Sequence, residues 1–190
     1  LPKFDRICTA LAVLRPMIPL SVMASLVQMD KDDLRSFLAD LGQSILIKGE
    51  LLQFRDEPTE SWFQSHFKPT AQALRDFIAV LRPQATRSVY VAAALPHLML
   101  NAGQIDELIE AALNSSDLPT ANTLERPDVE AQRLHFALRA SLRSRRYLEA
   151  TKLGLTAAGL AAAEDRQWKA LQANTDLAGR FLEPGQVLKL

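Results

Sequence analysis

The residue types that most often perform chemistry are scattered along this sequence. The three histidines, His66, His97 and His135, lack the His-Glu-x-x-His spacing that binds zinc, and Cys8 is the only cysteine. The seven glycines form neither a phosphate-binding loop followed by Lys and Ser or Thr nor a Gly-x-Ser-x-Gly elbow. Adjacent acidic residues fall at predicted helix starts, where carboxylates interact favourably with the helix dipole. The sequence therefore predicts no catalytic residue and no metal site.

Composition and charge narrow the class of protein further. Of 190 residues, 48% are hydrophobic and 23% are charged, which predicts a folded globular chain rather than a disordered one. Basic and acidic side chains balance at 22 each, so we do not expect a protein whose main task is coating nucleic acid or an anionic membrane. A single cysteine excludes an internal disulfide and fits a cytoplasmic location.

The apolar runs indicate whether the chain can cross a membrane, and the first residue bears on where the native polypeptide begins. The longest nearly apolar runs, residues 89–100 and 153–163, are shorter than the about 20 residues that a membrane helix needs. We therefore expect no membrane span. The sequence begins with Leu1, and no secretion signal follows it. We accordingly expect the native polypeptide to continue upstream of Leu1.

Residues 1–68 predict a winged-helix-like domain that begins with three helices. The first helix ends at Arg15-Pro16, because a residue before proline is pushed out of the α conformation. Pro19 suits the first turn of the second helix. Asp30 caps the third helix and Gly42 ends it.

A β-hairpin and a closing helix complete this domain. Residues 44–47 and 51–54 are mostly apolar and flank a turn in which Gly49 supplies the positive φ, so they predict the only sheet in the chain. The closing helix begins at residues 55–58, and aromatic rings at helical spacing are usually buried. The aromatic residues that we predict to be core residues of this helix are Trp62, Phe63 and Phe67.

Residues 69–190 predict a helical-repeat-like domain of stacked antiparallel helices, which makes the whole fold mainly α. One long loop rich in Ser, Asn, Thr and Pro covers residues 114–126. Residues 147–150, followed by the small residues Gly154 and Ala157, resemble a single tetratricopeptide (TPR) unit. The predicted helices cover residues 70–82, 86–101, 104–114, 128–144, 146–162 and 164–181.

The order of features from residue 11 to residue 67 resembles the winged-helix region that follows the nucleotide-binding module in STAND-class signalling ATPases, including bacterial NACHT-like proteins. The matching segments are residues 14–20, residues 34–41 with the hairpin, and residues 54–63, so the resemblance covers roughly the first third of the chain. In that family helical repeats commonly follow as a sensor or autoinhibitory arm.

This resemblance implies a non-catalytic regulatory segment that couples nucleotide state to the sensing of a ligand. Its partners would be an upstream ATPase domain of the same chain and an unknown protein ligand, with no nucleic acid and no membrane. No cofactor is expected in the segment itself, whereas ATP or ADP with magnesium is expected in the upstream domain. Defence against phage is typical of bacterial relatives.

The hairpin exit departs from the family pattern. In many relatives a histidine there contacts the phosphates of bound ADP, and the matching position here is Asp56, beside Arg55. An aspartate repels phosphate unless magnesium or a basic partner intervenes, whereas an arginine can pair with phosphate or with an acidic group. The resemblance implies a nucleotide-state or domain-docking role for these two residues. The alternative is that Asp56 only caps the closing helix while Arg55 makes a local ion pair.

A run of basic residues is the clearest charge asymmetry in the chain. It predicts either a solvated helix face or a docking patch for an acidic partner or nucleic acid. The partner-binding candidates are Arg139, Arg143 and Arg146, together with Trp168, whose neighbours are polar. The full basic run consists of Arg133, Arg139, Arg143, Arg145, Arg146 and Lys152.

Two other functions stay open alongside the regulatory one. The first is a free-standing helical adaptor for protein–protein interaction. The second is a DNA-binding winged helix, which the sequence disfavours because its third helix carries more acidic than basic residues and phosphates would be repelled. For the regulatory function we predict a hinge at residues 66–70, where Pro69 interrupts the chain.

Overall fold

The computed structural model describes residues 2–40, 44–120 and 125–173. Within these ranges the chain is mainly α-helical, with nine α-helices and one small antiparallel sheet near the N-terminus, followed by stacked helix pairs. The predicted fold class is therefore confirmed. Among the described helices, none combines the length and the apolar character that a membrane span requires.

The N-terminal unit follows the order helix, strand, helix, helix, hairpin, helix. The turn of the hairpin contains Gly49 with a φ of 61°, which confirms the glycine prediction. The predicted end of the third helix at Gly42 lies outside the described residues. The elements are α1 (Pro2–Val13), β1 (Ile18–Pro19), α2 (Leu20–Val27), α3 (Lys31–Asp40), β2 (Ile45–Lys48), β3 (Leu51–Phe54) and α4 (Glu57–His66).

The sheet has a third strand that the sequence did not predict. β1 pairs antiparallel with β3, with Ile18 opposite Leu52 and Pro19 opposite Leu51, so the strand order is β1-β3-β2. A strand of two residues is too short to show apolar alternation, which is why the pattern gave no signal. Pro19 lacks an N–H group and is tolerated because β1 is an edge strand. It is also the N-cap residue of α2, close to its predicted place in the first turn.

From residue 71 onward, the regular elements in the described part of the chain are all helical. They pack as neighbours in pairs, α5 with α6, α7 with α8 and α8 with α9. The connections from α5 to α6 and from α8 to α9 are short, which favours antiparallel stacking of these two pairs. The elements are α5 (Ala71–Leu81), a 3-10 turn (Arg82–Gln84), α6 (Val89–Ala102), α7 (Ile105–Leu113), α8 (Arg126–Arg143) and α9 (Tyr147–Ala173).

The last helix differs from its prediction. Residues 146–162 and 164–181 were expected to form two helices, but α9 is continuous from Tyr147 to Ala173. No proline occurs in α9, and Gly159, the nearest glycine to residue 163, keeps its backbone N–H, so nothing interrupts the hydrogen bonding of the helix there. The predicted end beyond residue 173 lies outside the described residues.

Buried side chains from both parts of the chain form one contiguous core. It extends from Ile7 in α1 to Leu153 in α9. We call the contact between the N-terminal unit and the helical stack the joint; its main packing is α2 against α5. The side chain of Arg6 crosses the joint, because its Nε donates a hydrogen bond to the Leu26 carbonyl over 2.6 Å and its guanidinium lies 5.4 Å from the centre of the Phe77 ring. The two predicted domains on either side of residues 68 and 69 are therefore packed against each other.

Candidate functional site

The hairpin exit joins β3 to α4 and contains the two residues singled out by the resemblance. Asp56 has an extended backbone, and its Oδ1 accepts a hydrogen bond from the Thr59 N–H over 2.8 Å at the start of α4. The backbone N–H of Arg55 donates to the Ser44 carbonyl over 3.1 Å, which fixes the exit relative to the hairpin. The side chains of Arg55 and Asp56 are exposed.

The capping role predicted for Asp56 is confirmed by this geometry. Hydrogen bonds from the side chain and the backbone of Thr59 lower the pKa of Asp56, and the charge of Arg55 acts in the same direction. The carboxylate is therefore ionised at neutral pH and committed to the helix start. The nucleotide-state role of Arg55 and Asp56 stays a prediction.

The aromatic residues of α4 divide into buried and exposed rings. Phe63 is 6% exposed and packs against Phe54 and Phe67, with ring centres 5.1 Å and 5.3 Å away. Trp62 is 50% exposed and stacks on His66, with ring centres 4.2 Å apart. The core prediction is thus confirmed for Phe63, and Phe67 is half-buried. It is wrong for Trp62, because consecutive helical residues point about 100° apart, and with Phe63 turned into the core the Trp62 ring lies at the solvent-facing edge of the helix.

Arg133 is not part of a solvated basic face. Its side chain is 2% exposed and points toward the C-terminal end of α7. One guanidinium nitrogen donates to the carbonyls of Ala111 (3.4 Å) and Ser116, and the other donates to the Asp117 carbonyl over 2.7 Å. Carbonyl groups at the end of a helix and in the turn after it lack partners within the helix. Arg133 donates hydrogen bonds to three such carbonyls. Burial lowers the pKa of Arg133, while the carboxylates of Asp117 and Glu130 act against this shift.

The remaining partner-binding candidates differ in exposure and in ion pairing. Arg139 and Arg143 are exposed and lie one turn apart on α8. Arg146 forms an ion pair with Asp106 of α7; this contact raises the pKa of Arg146 and lowers that of Asp106. The side chain of Trp168 lies outside the described residues. Of the predicted candidates, Arg139 and Arg143 are therefore the two that the structure brings together on one exposed face.

The three histidines lie in different surroundings. His66 stacks on Trp62, His135 is exposed, and His97 lies in a cleft between the two parts of the chain. Cys8 is buried in α1, and burial together with the charge of Asp5 raises its pKa to about 11. In the described part of the chain, no group of three or more histidine, cysteine or acidic residues is arranged to hold a metal ion.

The cleft that contains His97 was not predicted from the sequence. It has a volume of about 490 Å³ and lies between the end of α1, α4 and α6. The Tyr90 hydroxyl donates a hydrogen bond of 2.7 Å to the Arg15 carbonyl beside it. Its polar lining comes from segments that are distant in sequence, so no motif could reveal it. The polar side chains that line the cleft belong to Arg15, Glu60, Gln64, His97 and Asn101.

Comparison with known proteins adds no family assignment. No protein-family model matches the chain, and no curated protein matches its sequence.

The role of Arg133 gives a stability prediction. Arg133→Met removes the donors to the carbonyl of Ala111 in α7 and to those of Ser116 and Asp117 just after it, and should lower the free energy of unfolding by about 2–4 kcal/mol. Arg139→Met on the exposed face of the same helix is the matched control and should change it by less than about 0.5 kcal/mol. Urea unfolding followed by circular dichroism measures both. Equal effects of the two substitutions would contradict the structural role of Arg133.

The cap at Asp56 gives a pH-dependent prediction. Asp56→Ala should lower the midpoint of thermal unfolding by a few degrees at pH 7, whereas Asp56→Asn keeps an acceptor for the Thr59 N–H but loses the charge, and should retain only part of the stability. Because folding lowers the pKa of Asp56, its charge stabilises the fold above the unfolded pKa near 3.8, and this contribution is lost as the pH falls through the folded pKa.

Thermal melts of the wild type and Asp56→Ala at pH 7 and at pH values below 3.8 measure this effect. We expect the difference between their midpoints to shrink in acid. A difference that stays the same at both pH values would show that the carboxylate charge is not what stabilises the helix start.

Proposed function

We propose that this chain is a non-catalytic regulatory segment of a larger STAND-class ATPase, in which it couples nucleotide state to the sensing of a partner. The observation that carries the proposal is the packed joint between a winged-helix-like unit and a helical stack. Because the two parts share one core, a force on one part is transmitted to the other rather than absorbed between them. The proposal also includes a cytoplasmic location.

Arg55 is the proposed nucleotide-side residue. Asp56 is held at the start of α4 with a lowered pKa, so its negative charge persists and disfavours direct phosphate contact. The exposed Arg55 beside it can pair with a phosphate of ATP or ADP, or with an acidic group of the upstream ATPase domain. Magnesium and nucleotide would bind in that domain.

The partner side is proposed to lie at the connection between α8 and α9. Arg139 and Arg143 are exposed there, and Leu142, Tyr147 and Leu148 are apolar side chains that are more than half exposed. Apolar and basic side chains grouped on one surface are typical of protein contacts. The proposed partner is therefore a protein ligand with an apolar and acidic surface.

The proposed mechanism uses the hinge predicted at residues 66–70. This connection lies between α4 and α5, and Thr70 caps α5 by accepting a hydrogen bond of 3.1 Å from the Ala73 N–H. Rotation there must break the α2–α5 packing and the Tyr90–Arg15 hydrogen bond. A change of state thus requires a partner that binds the rotated form more tightly than the resting form.

The alternative of a DNA-binding winged helix has less support. On α3, the two cations that would face phosphates are engaged within the chain: Lys31 Nζ lies 3.2 Å from a Glu50 carboxylate oxygen, and Arg35 forms an ion pair with the same carboxylate. A helix that reads DNA needs such cations available. The free-standing adaptor remains the second candidate, and it requires no ATPase domain.

The proposed role of Arg55 is tested in the full-length polypeptide. Arg55→Ala should change the amount of ADP retained on purification, because a phosphate or domain contact is lost. Asp56→Asn should increase retention, because it removes the repelling charge while keeping the cap. Arg75→Ala, at an exposed position of α5, is the control. Wild-type retention in both variants, with the fold intact, would refute the nucleotide-side role. The absence of a nucleotide-binding loop upstream of Leu1 would favour the adaptor.

A further inference from the structure

The cleft between α1, α4 and α6 has the size and position of a small-molecule site. Its volume of about 490 Å³ falls within the range of roughly 300–1,000 Å³ that is typical of ligand pockets. It lies beside the joint, where Arg15 follows α1, Glu60 lies on α4 and His97 lies on α6. An occupant would therefore contact both parts of the chain at once.

Two opposite charges line this cleft without pairing with each other. Arg15 is half-buried, its guanidinium lies 6.0 Å from the centre of the Phe136 ring, and no carboxylate in the described part of the chain forms an ion pair with it. Glu60 accepts a hydrogen bond of 3.1 Å from Gln64 and likewise has no cationic partner among the described residues. The cleft thus offers one cationic and one anionic group to an occupant.

Neutral polar groups complete the lining. The Asn101 side-chain nitrogen lies 3.0 Å from Nε2 of His97, and the His97 ring packs against Phe136 with centres 5.9 Å apart. Burial and the positive charge of Arg15 lower the pKa of His97, so the imidazole is neutral at physiological pH. Arg15 therefore supplies the positive charge of the lining, and His97 and Asn101 supply hydrogen bonds.

We propose that this cleft binds a small zwitterion of the amino-acid class, with its carboxylate on Arg15 and its ammonium group on Glu60. Arginine matches a carboxylate with two parallel hydrogen bonds, and a glutamate accepts the hydrogen bonds of an ammonium group. A ligand with only an anionic group would be repelled by the Glu60 carboxylate and would leave that carboxylate without a partner. A ligand with both charges therefore fits the lining better.

Binding would stabilise the joint, because the ligand would add contacts between the N-terminal unit and α6. This inference goes beyond the proposed function, since it concerns a site within the 190 residues and requires no ATPase domain. Its test is therefore performed on this chain alone, and a negative result would leave the role proposed for Arg55 unaffected.

The experiment is a binding screen with the common L-amino acids at millimolar concentration. Each amino acid is compared with its N-acetyl derivative, which lacks the ammonium group, and with its amide, which lacks the carboxylate. Thermal shift identifies the binders and calorimetry measures their affinities. We expect at least one free amino acid to raise the unfolding midpoint by a few degrees, and both derivatives to bind more weakly.

Three variants assign the charges to their partners. Arg15→Gln should weaken binding of the free amino acid by about tenfold or more, because a charge-assisted pair is lost. Glu60→Gln should remove the preference for the free amino acid over its N-acetyl derivative. Arg75→Gln, at an exposed site on α5 outside the cleft, should bind like the wild type.

Failure of every amino acid to bind the wild type would overturn the proposal, and so would unchanged affinity in both cleft variants. If Arg15→Gln does not fold, Glu60→Gln decides the question by itself, because loss of the preference supports the ammonium site and retention of the preference refutes the proposal.

Discussion

The side chain of Arg6 in α1 connects the N-terminal unit to the helical stack. It donates a hydrogen bond to the backbone of α2 and lies over the Phe77 ring of α5. Phe77 is 2% exposed, and the α2 residue Leu26 is fully buried. Apolar burial of this kind contributes about 25 cal/mol per Å² of surface removed from water. The orientation of each part is therefore fixed by the other, and the cleft beside the joint has a defined shape.

This packing places the proposed contact surfaces of the molecule at separate positions on one framework. Arg55 lies at the hairpin exit, whereas Arg139 and Arg143 lie on α8 in the helical stack. A regulatory segment needs such a separation, since two different partners must bias one equilibrium. The cleft adds a third position, directly at the contact between the parts, where a small ligand would act on the same equilibrium.

Local sequence signals predicted the helices and the hairpin well. They predicted poorly which strands pair and which side chains are buried. Helix periodicity, the Gly49 turn and the Asp56 cap are encoded within a few residues, and all three are present in the structure. The strand β1 has two residues and no pattern of its own, so only its pairing with β3 defines it. The burial of Arg133 and the exposure of Trp62 also depend on tertiary neighbours.

The polar lining of the cleft was invisible for the same reason. Arg15, Glu60 and His97 are far apart in sequence, and only the folded chain brings them together. The basic run illustrates the opposite error, because neighbours in sequence were treated as one surface. In the structure Arg133 is buried and Arg146 is paired with Asp106. The basic residues that are neighbours in sequence therefore do not form one exposed basic surface.

Native-state hydrogen exchange tests most directly whether the two parts form one cooperative body. The slowest amides of α2, around Leu26, and of α6, around Leu95, report the free energy that is needed to open each part. A shared core predicts the same opening free energy in both helices, equal to that of global unfolding. If the amides of α2 exchange through an opening of clearly lower free energy than those of α6, the joint does not couple the two parts, which contradicts one shared cooperative core.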